Sequence, residues 1–341
     1  MPVAEKALIA QIRRLAAERA PSKTRVRSTA ENSAIVAGIG DDCALLRLPP
    51  RRDSLVTTDF SLEGVHFRRD WHPPESVGHR CLARGLSDIA AMGGDPVAAF
   101  LSVAFPRDLQ QAWVQGFLRG LLGLAGKFGV ALAGGDTAES PNGILADIVV
   151  LGTVPKGKAI LRSGARPGDR IYVSGELGGS AAALQQMPSQ QMMKTTKKPK
   201  HMLNPAEYPR HFFPEPRIEM GRMLREKGLA SAMIDTSDGL SSDLAHICEE
   251  SGVGAEADVE LIPRARVDKP AHVVDLELAL HGGEDYELLF TAPRNRTIPS
   301  QIAGVQITQI GDITRTRKIF LRNRRGVAHE LKPRGWEHFR H

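Results

Sequence analysis

Cysteine is scarce. Cys43, Cys81 and Cys248 are the only three in 341 residues, far apart and without a Cys-x-x-Cys pair. An odd, scattered set of that kind argues against a disulfide framework and points to reduced thiols in a cytoplasmic protein. Long apolar runs are also missing, since none approaches the roughly 20 residues that span a bilayer. The stretch from Met1 to Ala20 alternates charge with apolar residues and has no signal-peptide core. Cys and His nowhere adopt zinc spacing, and neither a Ser-His-Asp order nor a nucleophile elbow occurs. Gly152 to Ala159 has the glycine and lysine spacing of a P-loop, but Ala159 stands where a hydroxyl is required and Pro155 interrupts the loop. Gly175-Glu-Leu-Gly178-Gly179-Ser180 does not match the dinucleotide fingerprint.

What remains is an ordinary soluble composition, 42% hydrophobic and 25% charged, long enough for two domains. The formal charge is +6, from 45 Lys+Arg against 39 Asp+Glu. A basic balance suits anionic ligands such as nucleotides or nucleic acid. The acids cluster in glycine-rich motifs while the bases are scattered, which suits a metal–phosphate site better than a nucleic-acid groove.

The organising stretch is Gly38-Ile39-Gly40-Asp41-Asp42-Cys43-Ala44, two adjacent carboxylates behind a glycine turn. Like charges so placed are costly unless a cation neutralises them, and Mg²⁺ prefers such oxygens. A solvated Asp-Asp turn is the plainer alternative. Similar acids recur. A β-branched strand, Leu55 to Phe60, carries Thr57, Thr58 and Asp59, followed by Gly64-Val65-His66-Phe67. A helix from Glu75 to Met92 carries Leu82, Leu86 and Ile89 on its buried stripe and Asp88 off it, with Gly93-Gly94 just beyond. After a strand from Val97 to Phe105, Asp108 to Gly129 reads as a helix with Trp113, Phe117 and Leu121 in the core. A strand, Val130 to Ala133, then leads into Gly134-Gly135-Asp136-Thr137, and another follows from Ile144 to Val154.

Further along, a strand at Ile171 to Ser174 precedes a poorly patterned stretch, Gln185 to Pro216, with a basic cluster from Lys194 to Lys200. Ala232 to Ile234 leads through Asp235-Thr236-Ser237-Asp238-Gly239-Leu240 into a helix from Ser241 to Ser251. That strand–turn–helix gathers acids and hydroxyls at free backbone N–H groups, where an anion is favoured. His281-Gly282-Gly283-Glu284-Asp285-Tyr286 joins a helix, Leu276 to Leu280, to a strand, Glu287 to Thr291. Trp336 lies near the C-terminus. Helices are also expected over Ala4 to Ala20 and Pro216 to Glu226, and strands over Cys43 to Leu48, Gln306 to Ile310 and Lys318 to Leu321, with Pro21 to Ser33 a loop. Many carboxylates and no softer ligands point to several Mg²⁺ ions and to phosphoryl transfer from a nucleotide.

Together, Gly-Ile-Gly-Asp-Asp-Cys-Ala, Thr-Thr-Asp…Gly-Val-His-Phe, Leu-Ser-Asp-Ile-Ala-Ala-Met-Gly, Gly-Gly-Asp-Thr, Asp-Thr-Ser-Asp-Gly-Leu and Gly-Gly-Glu-Asp-Tyr-Glu-Leu, in this order, resemble the thiamine-monophosphate kinase family. That family belongs to the aminoimidazole ribonucleotide synthetase-like superfamily. The resemblance implies an α/β, two-domain fold of the α+β type. It further implies an N-terminal ATP/Mg-binding and dimerisation domain (1–155), whose sheet would form a barrel across a homodimer, and a C-terminal α/β domain (156–341). It implies direct in-line transfer from ATP, as co-substrate, to thiamine monophosphate, the last step of thiamine diphosphate formation, with no nucleic acid or membrane involved. Carried over by motif, Asp42, Thr57, Thr58, Asp59, Asp88, Asp136, Asp235 and Asp238 would ligate several Mg²⁺. Gly135, Asp136, Arg162 and Ser237 would contact ATP, and His66, Glu284 and Trp336 the thiamine phosphate; no general base is implied. The alternative is another ATP-dependent synthetase of the superfamily acting on a purine-pathway amidine. A nucleotide sensor or RNA-binding protein is a more distant reading, because none of the motif acids is lost.

Overall fold

The structure is a computed structural model describing residues 5–19, 34–39, 43–187, 203–267 and 272–336. It divides into two compact units. The first takes Met1–Ile89 and Gly94–Gly157, the second Ala90–Gly93 and Lys158–His341.

The first unit begins with helix α1 (Glu5–Arg19), whose Leu8 is fully buried. A small antiparallel pair follows, β1 (Ile35–Ala37) and β2 (Leu45–Leu46), shorter than the strand expected over Cys43 to Leu48. Arg47 still donates its amide to the Ala34 carbonyl at 2.8 Å, and Pro49 and Pro50, just beyond Leu48, cannot extend a ladder by donating an N–H. The main sheet is built from β3 (Arg52–Leu62), β4 (Asp95–Pro106), β5 (Ala131–Ser140) and β6 (Leu145–Pro155) in the order β3-β6-β4-β5. Only the β4–β5 pair is parallel. Helices α2 (Pro74–Ala91) and α3 (Gln111–Phe128) complete the unit. They approach closely at glycines: a Cβ on Gly78 would strike the Phe117 carbonyl, and one on Gly120 the Glu75 carbonyl. Trp113 stacks on Phe117 with ring centroids 5.7 Å apart, as the helical spacing predicts.

One expectation is corrected in this unit. The glycines of Gly134-Gly135-Asp136 do not end a strand, because β5 runs through them to Ser140. Pairing with β4 carries them along: Phe100 sits opposite Gly134 and Leu101 opposite Gly135. Gly135 has φ +148° and no room for a Cβ against the Leu101 carbonyl, so a glycine is needed here to continue the ladder.

The second unit is a mixed sheet of β7 (Arg170–Ser174), β8 (Ala232–Asp235), β9 (Gly254–Asp258), β12 (Leu288–Ala292), β14 (Val305–Thr314), β15 (Ile319–Arg322) and β16 (Ala328–Glu330), ordered β16-β15-β9-β14-β7-β12-β8. Strand β13 (Gln301–Ile302) pairs beside β14, and β10 (Arg266–Val267) pairs separately with β11 (His272–Val273). Its helices are α4 (Gly179–Gln186), α5 (Pro209–Phe212), α6 (Ile218–Glu226), α7 (Leu240–Ser251) and α8 (Leu276–His281). Leu240, Leu244 and Ile247 of α7 pack with Ile171, Val173, Ile234 and Leu289 of the sheet in one buried cluster. The poorly patterned stretch is partly structured: α4 reaches Gln186, and α5 buries His211 and Phe212 completely. The loop expected over 21–33 and the basic cluster of 194–200 lie outside the described residues.

Candidate active site

In the first unit, β3 sends its functional side chains to both faces of the sheet, as strand alternation requires. Thr57 and Asp59 face α2. The Thr57 hydroxyl donates to Asp88 Oδ2, and Arg84, one turn earlier on α2, places its Nε 3.9 Å from Asp59 Oδ1 and donates to the Phe60 carbonyl. α2 is buried along most of its length, and Arg84 and Asp88 are its half-buried positions against β3. Thr58 points the other way and donates to Asp147 Oδ1 at 2.7 Å. The register then runs Phe60–Asp147–Ser102–Asp136 straight across the sheet, so Asp147 and Asp136 share the Thr58 face. Asp147 escaped the sequence reading; its signal was one acid inside the apolar run Ile144 to Val154.

Asp136 accepts its neighbour's amide, Thr137 N–H, at 2.8 Å. A pocket of about 570 Å³ opens beside it, lined by Gly134, Gly135, Phe100 and Ala133, by Ile9 of α1 and by Cys43. His66 sits after β3, where its Nδ1 accepts the Leu62 amide at 3.0 Å. In the neutral ring that leaves the proton on Nε2. Asp42 lies outside the described residues.

In the second unit three segments meet. Strand β8 ends at Asp235, which is buried, and the chain turns through Thr236, Ser237 and Asp238 into α7. The Ser237 carbonyl accepts the Glu284 amide at 2.8 Å, and the Asp238 carbonyl accepts the Trp336 amide at 3.1 Å. Glu284, Ser237, Asp238 and Trp336 are thereby held around one loop. Glu284 (φ 66°) and Tyr286 (φ 52°) both adopt left-handed backbone, which costs energy in a residue with a Cβ. Arg162 lies in a single helical turn, Arg162–Gly164, where its carbonyl accepts the Ser251 hydroxyl at 2.8 Å. Met233 of β8 donates its amide to the neighbouring Leu161 carbonyl at 3.1 Å.

Asp243, another residue the sequence reading passed over, lies in the first turn of α7. Its Oδ2 accepts the Gly239 amide at 3.0 Å, while Oδ1 is buried with no hydrogen-bond partner among the described residues. Burial, then the charges of Asp235 and Asp238, push its carboxyl well above the ordinary range. Such an excess of negative charge around an orphaned oxygen fits a bound cation, and an all-oxygen donor set fits Mg²⁺. No group of three or more His, Cys, Asp or Glu is close enough to hold a metal by itself among the described residues.

Such a fold and set of acids match two family models in sequence: the AIR synthase related protein N-terminal domain over residues 40–154, and its C-terminal domain over residues 166–322. Among curated relatives, thiamine-monophosphate kinase of Escherichia coli O157:H7 is 39% identical over 92% of this chain and 95% of its own length. That of Bacillus subtilis is 33% identical over 92% and 96%. The crystal structure of thiamine-monophosphate kinase from Stenotrophomonas maltophilia K279a superposes with TM-score 0.72 at 32% identity, covering 94% of this chain and 97% of that one. The structure of AaThiL complexed with AMPPCP and TMP also reaches 0.72 at 32% identity, covering 86% and 89%. The chain is thus a two-domain protein of the AIR synthase related class. Within that class it belongs to the thiamine-monophosphate kinase family, as its six ordered motifs led us to expect.

Proposed function

We propose that this protein transfers the γ-phosphoryl group of ATP to thiamine monophosphate, giving thiamine diphosphate and ADP. The observation that carries the reading is the meeting of Asp235-Thr-Ser-Asp238 with Glu284 and Trp336 around one loop, in a family whose members include a structure with AMPPCP and TMP bound. Nothing in the chain favours a purine-pathway amidine as acceptor.

Asp42, Thr57, Thr58, Asp59, Asp88, Asp136, Asp235 and Asp238 are the proposed Mg²⁺ ligands. Mg²⁺ held by these residues would supply charge neutralisation for the phosphates. The protein's own part is positioning. Gly135 exposes backbone beside Asp136, and Arg162 and Ser237 contact the nucleotide. Glu284 and the Trp336 ring suit an acceptor carrying a positively charged thiazolium, which an aromatic face attracts. His66 would donate Nε2–H to the acceptor. The expected domains divide these residues: 1–155 carries dimerisation, His66 and Asp42 to Asp136 of the set, and the C-terminal α/β domain, 156–341, carries Arg162, Asp235, Ser237, Asp238, Glu284 and Trp336.

A homodimer is part of the proposal. β3 is an eleven-residue strand at the edge of its sheet, and Val56 and Phe60 on its free face are 67% and 55% exposed. An edge of that length and apolarity calls for a partner strand, and a barrel closed across two copies supplies one. The three free cysteines agree with a cytoplasmic location. Among the described residues no helix is long and apolar enough to cross a membrane.

The test is Mg²⁺-dependent ADP release with thiamine monophosphate and, in parallel, with free thiamine. Release with the monophosphate alone, with thiamine diphosphate found by chromatography, supports the reading; silence with both overturns the acceptor. Asp42→Asn and Asp136→Asn should each abolish turnover in a folded protein. A monomer by light scattering would remove the dimer.

A further inference from the structure

The segment carrying Trp336 is seated by three consecutive backbone amides. Arg334 N–H reaches Ser241 Oγ (3.4 Å), Gly335 N–H reaches Ser242 Oγ (3.1 Å), and Trp336 N–H reaches the Asp238 carbonyl (3.1 Å). All three acceptors belong to the turn that opens α7. Gly335 is what permits this approach, because a Cβ there would collide with the Asp238 carbonyl.

A side-chain relay secures the same segment. The Arg334 guanidinium donates to Glu277 Oε2 and to His281 Nε2, each at 2.9 Å, and His281 Nδ1 lies 2.8 Å from Ser241 Oγ. A guanidinium has no lone pair to offer, so His281 Nε2 must be the acceptor. The ring proton is therefore on Nδ1, directed at Ser241, and Ser241 Oγ receives both that proton and the Arg334 amide. One imidazole thus ties the C-terminal arm, the start of α7 and the end of α8. The residue sequence Gly282-Gly283-Glu284 begins directly after His281.

We propose that Arg334, His281 and Ser241 form a latch that positions the indole of Trp336 relative to Glu284, making them positioning residues for the phosphoryl acceptor. The proposal rests on the reading above, in which Trp336 and Glu284 contact thiamine phosphate. Trp336 is 56% exposed, and the three amide hydrogen bonds set the backbone that carries its indole. The acceptor site accordingly depends on polar contacts remote from the acceptor itself.

The test compares full-length wild type with Arg334→Gln and Gly335→Ala by amide hydrogen exchange at residues 334–336 and by steady-state kinetics. Arg334 is largely exposed, so its replacement should leave the global unfolding midpoint unchanged. Expected are exchange about tenfold faster at these amides and a KM for thiamine monophosphate raised about fivefold or more. The KM for ATP should stay unchanged. Arg334→Lys, which keeps a cationic N–H donor without the planar fork, should restore part of the loss. Unchanged exchange in both variants overturns the latch. Faster exchange with an unchanged acceptor KM overturns its role in positioning. Should wild type fail to turn over thiamine monophosphate, the earlier reading falls, and the exchange data still decide whether the latch exists.

Discussion

The carboxylate of Asp285 accepts the backbone N–H of Gly178 at 2.6 Å, and its other oxygen accepts that of Ser180 at 3.2 Å. The side chain is buried and clamps the start of α4 onto the strained Glu284–Tyr286 loop. Burial pushes its pKa up to about 7, against the opposing effect of the two amide bonds. An acid whose folded pKa lies above its unfolded value binds more protons when folded. Its contribution is complete below the unfolded value of 3.8 and is lost as pH rises through about 7. Asp285→Asn removes this titration. The stability difference between wild type and Asp285→Asn should shift steadily in favour of the variant from about pH 4 to about pH 7, by up to ~1.4 kcal/mol per unit. Denaturant unfolding at several pH values checks it; a constant difference refutes it.

Glu287 lies two residues on and is almost fully buried. It accepts from the Ser174 hydroxyl (2.5 Å), from Arg217 Nε (2.7 Å) and from a second Arg217 nitrogen. Glu287→Gln leaves the half-buried Arg217 without its counter-charge, and about 3–5 kcal/mol of stability should be lost. Urea unfolding measures the loss, and a change below about 1 kcal/mol would show that solvent already neutralises Arg217.

Thr57→Val preserves shape and removes the hydroxyl that Asp88 accepts. On the proposed metal assignment the fold should survive at a cost of about 1–2 kcal/mol. The Mg²⁺ concentration for half-maximal ADP release should rise about tenfold, which a metal titration reads directly. An unchanged Mg²⁺ requirement would remove Thr57 from the ligand set.

Gly120→Val places a branched side chain where α3 meets the Glu75 carbonyl of α2. Overpacking at a backbone contact has no flexible neighbour to absorb it, so the thermal midpoint should fall by several degrees or the protein should fail to accumulate. Gly129→Ala is the control for a glycine replaced in open space, with strain from φ +69° alone. The Gly120 variant should be the worse of the two.

The helices and strands with strong periodicity were legible: Trp113 and Phe117, Leu82 and Leu86, Leu288 to Thr291 stand where their spacing puts them. The glycine motifs were legible as sites but not as structure. Gly134-Gly135 reads as a break because glycine disfavours a strand locally, and only pairing with β4 overrides that preference. Strand β9, Gly-Ala-Glu-Ala-Asp, lacks the β-branched residues that mark strands, and it owes its conformation to β14 on one side and the parallel β15 on the other. The His281–Arg334 relay was invisible because its partners are 40 to 93 residues apart in sequence, and Asp243 because only the fold buries an acid that otherwise reads as an ordinary first-turn helix residue.

The cysteines offer a practical consequence. Burial drives the thiols of Cys81 and Cys248 up to about 12, whereas Cys43 is exposed and lines the pocket beside Asp136. A maleimide dye applied to the native enzyme should therefore attach at a single position, next in sequence to Asp41 and Asp42, without any engineered mutation. That gives a built-in spectroscopic reporter on a segment whose two acids open the whole constellation.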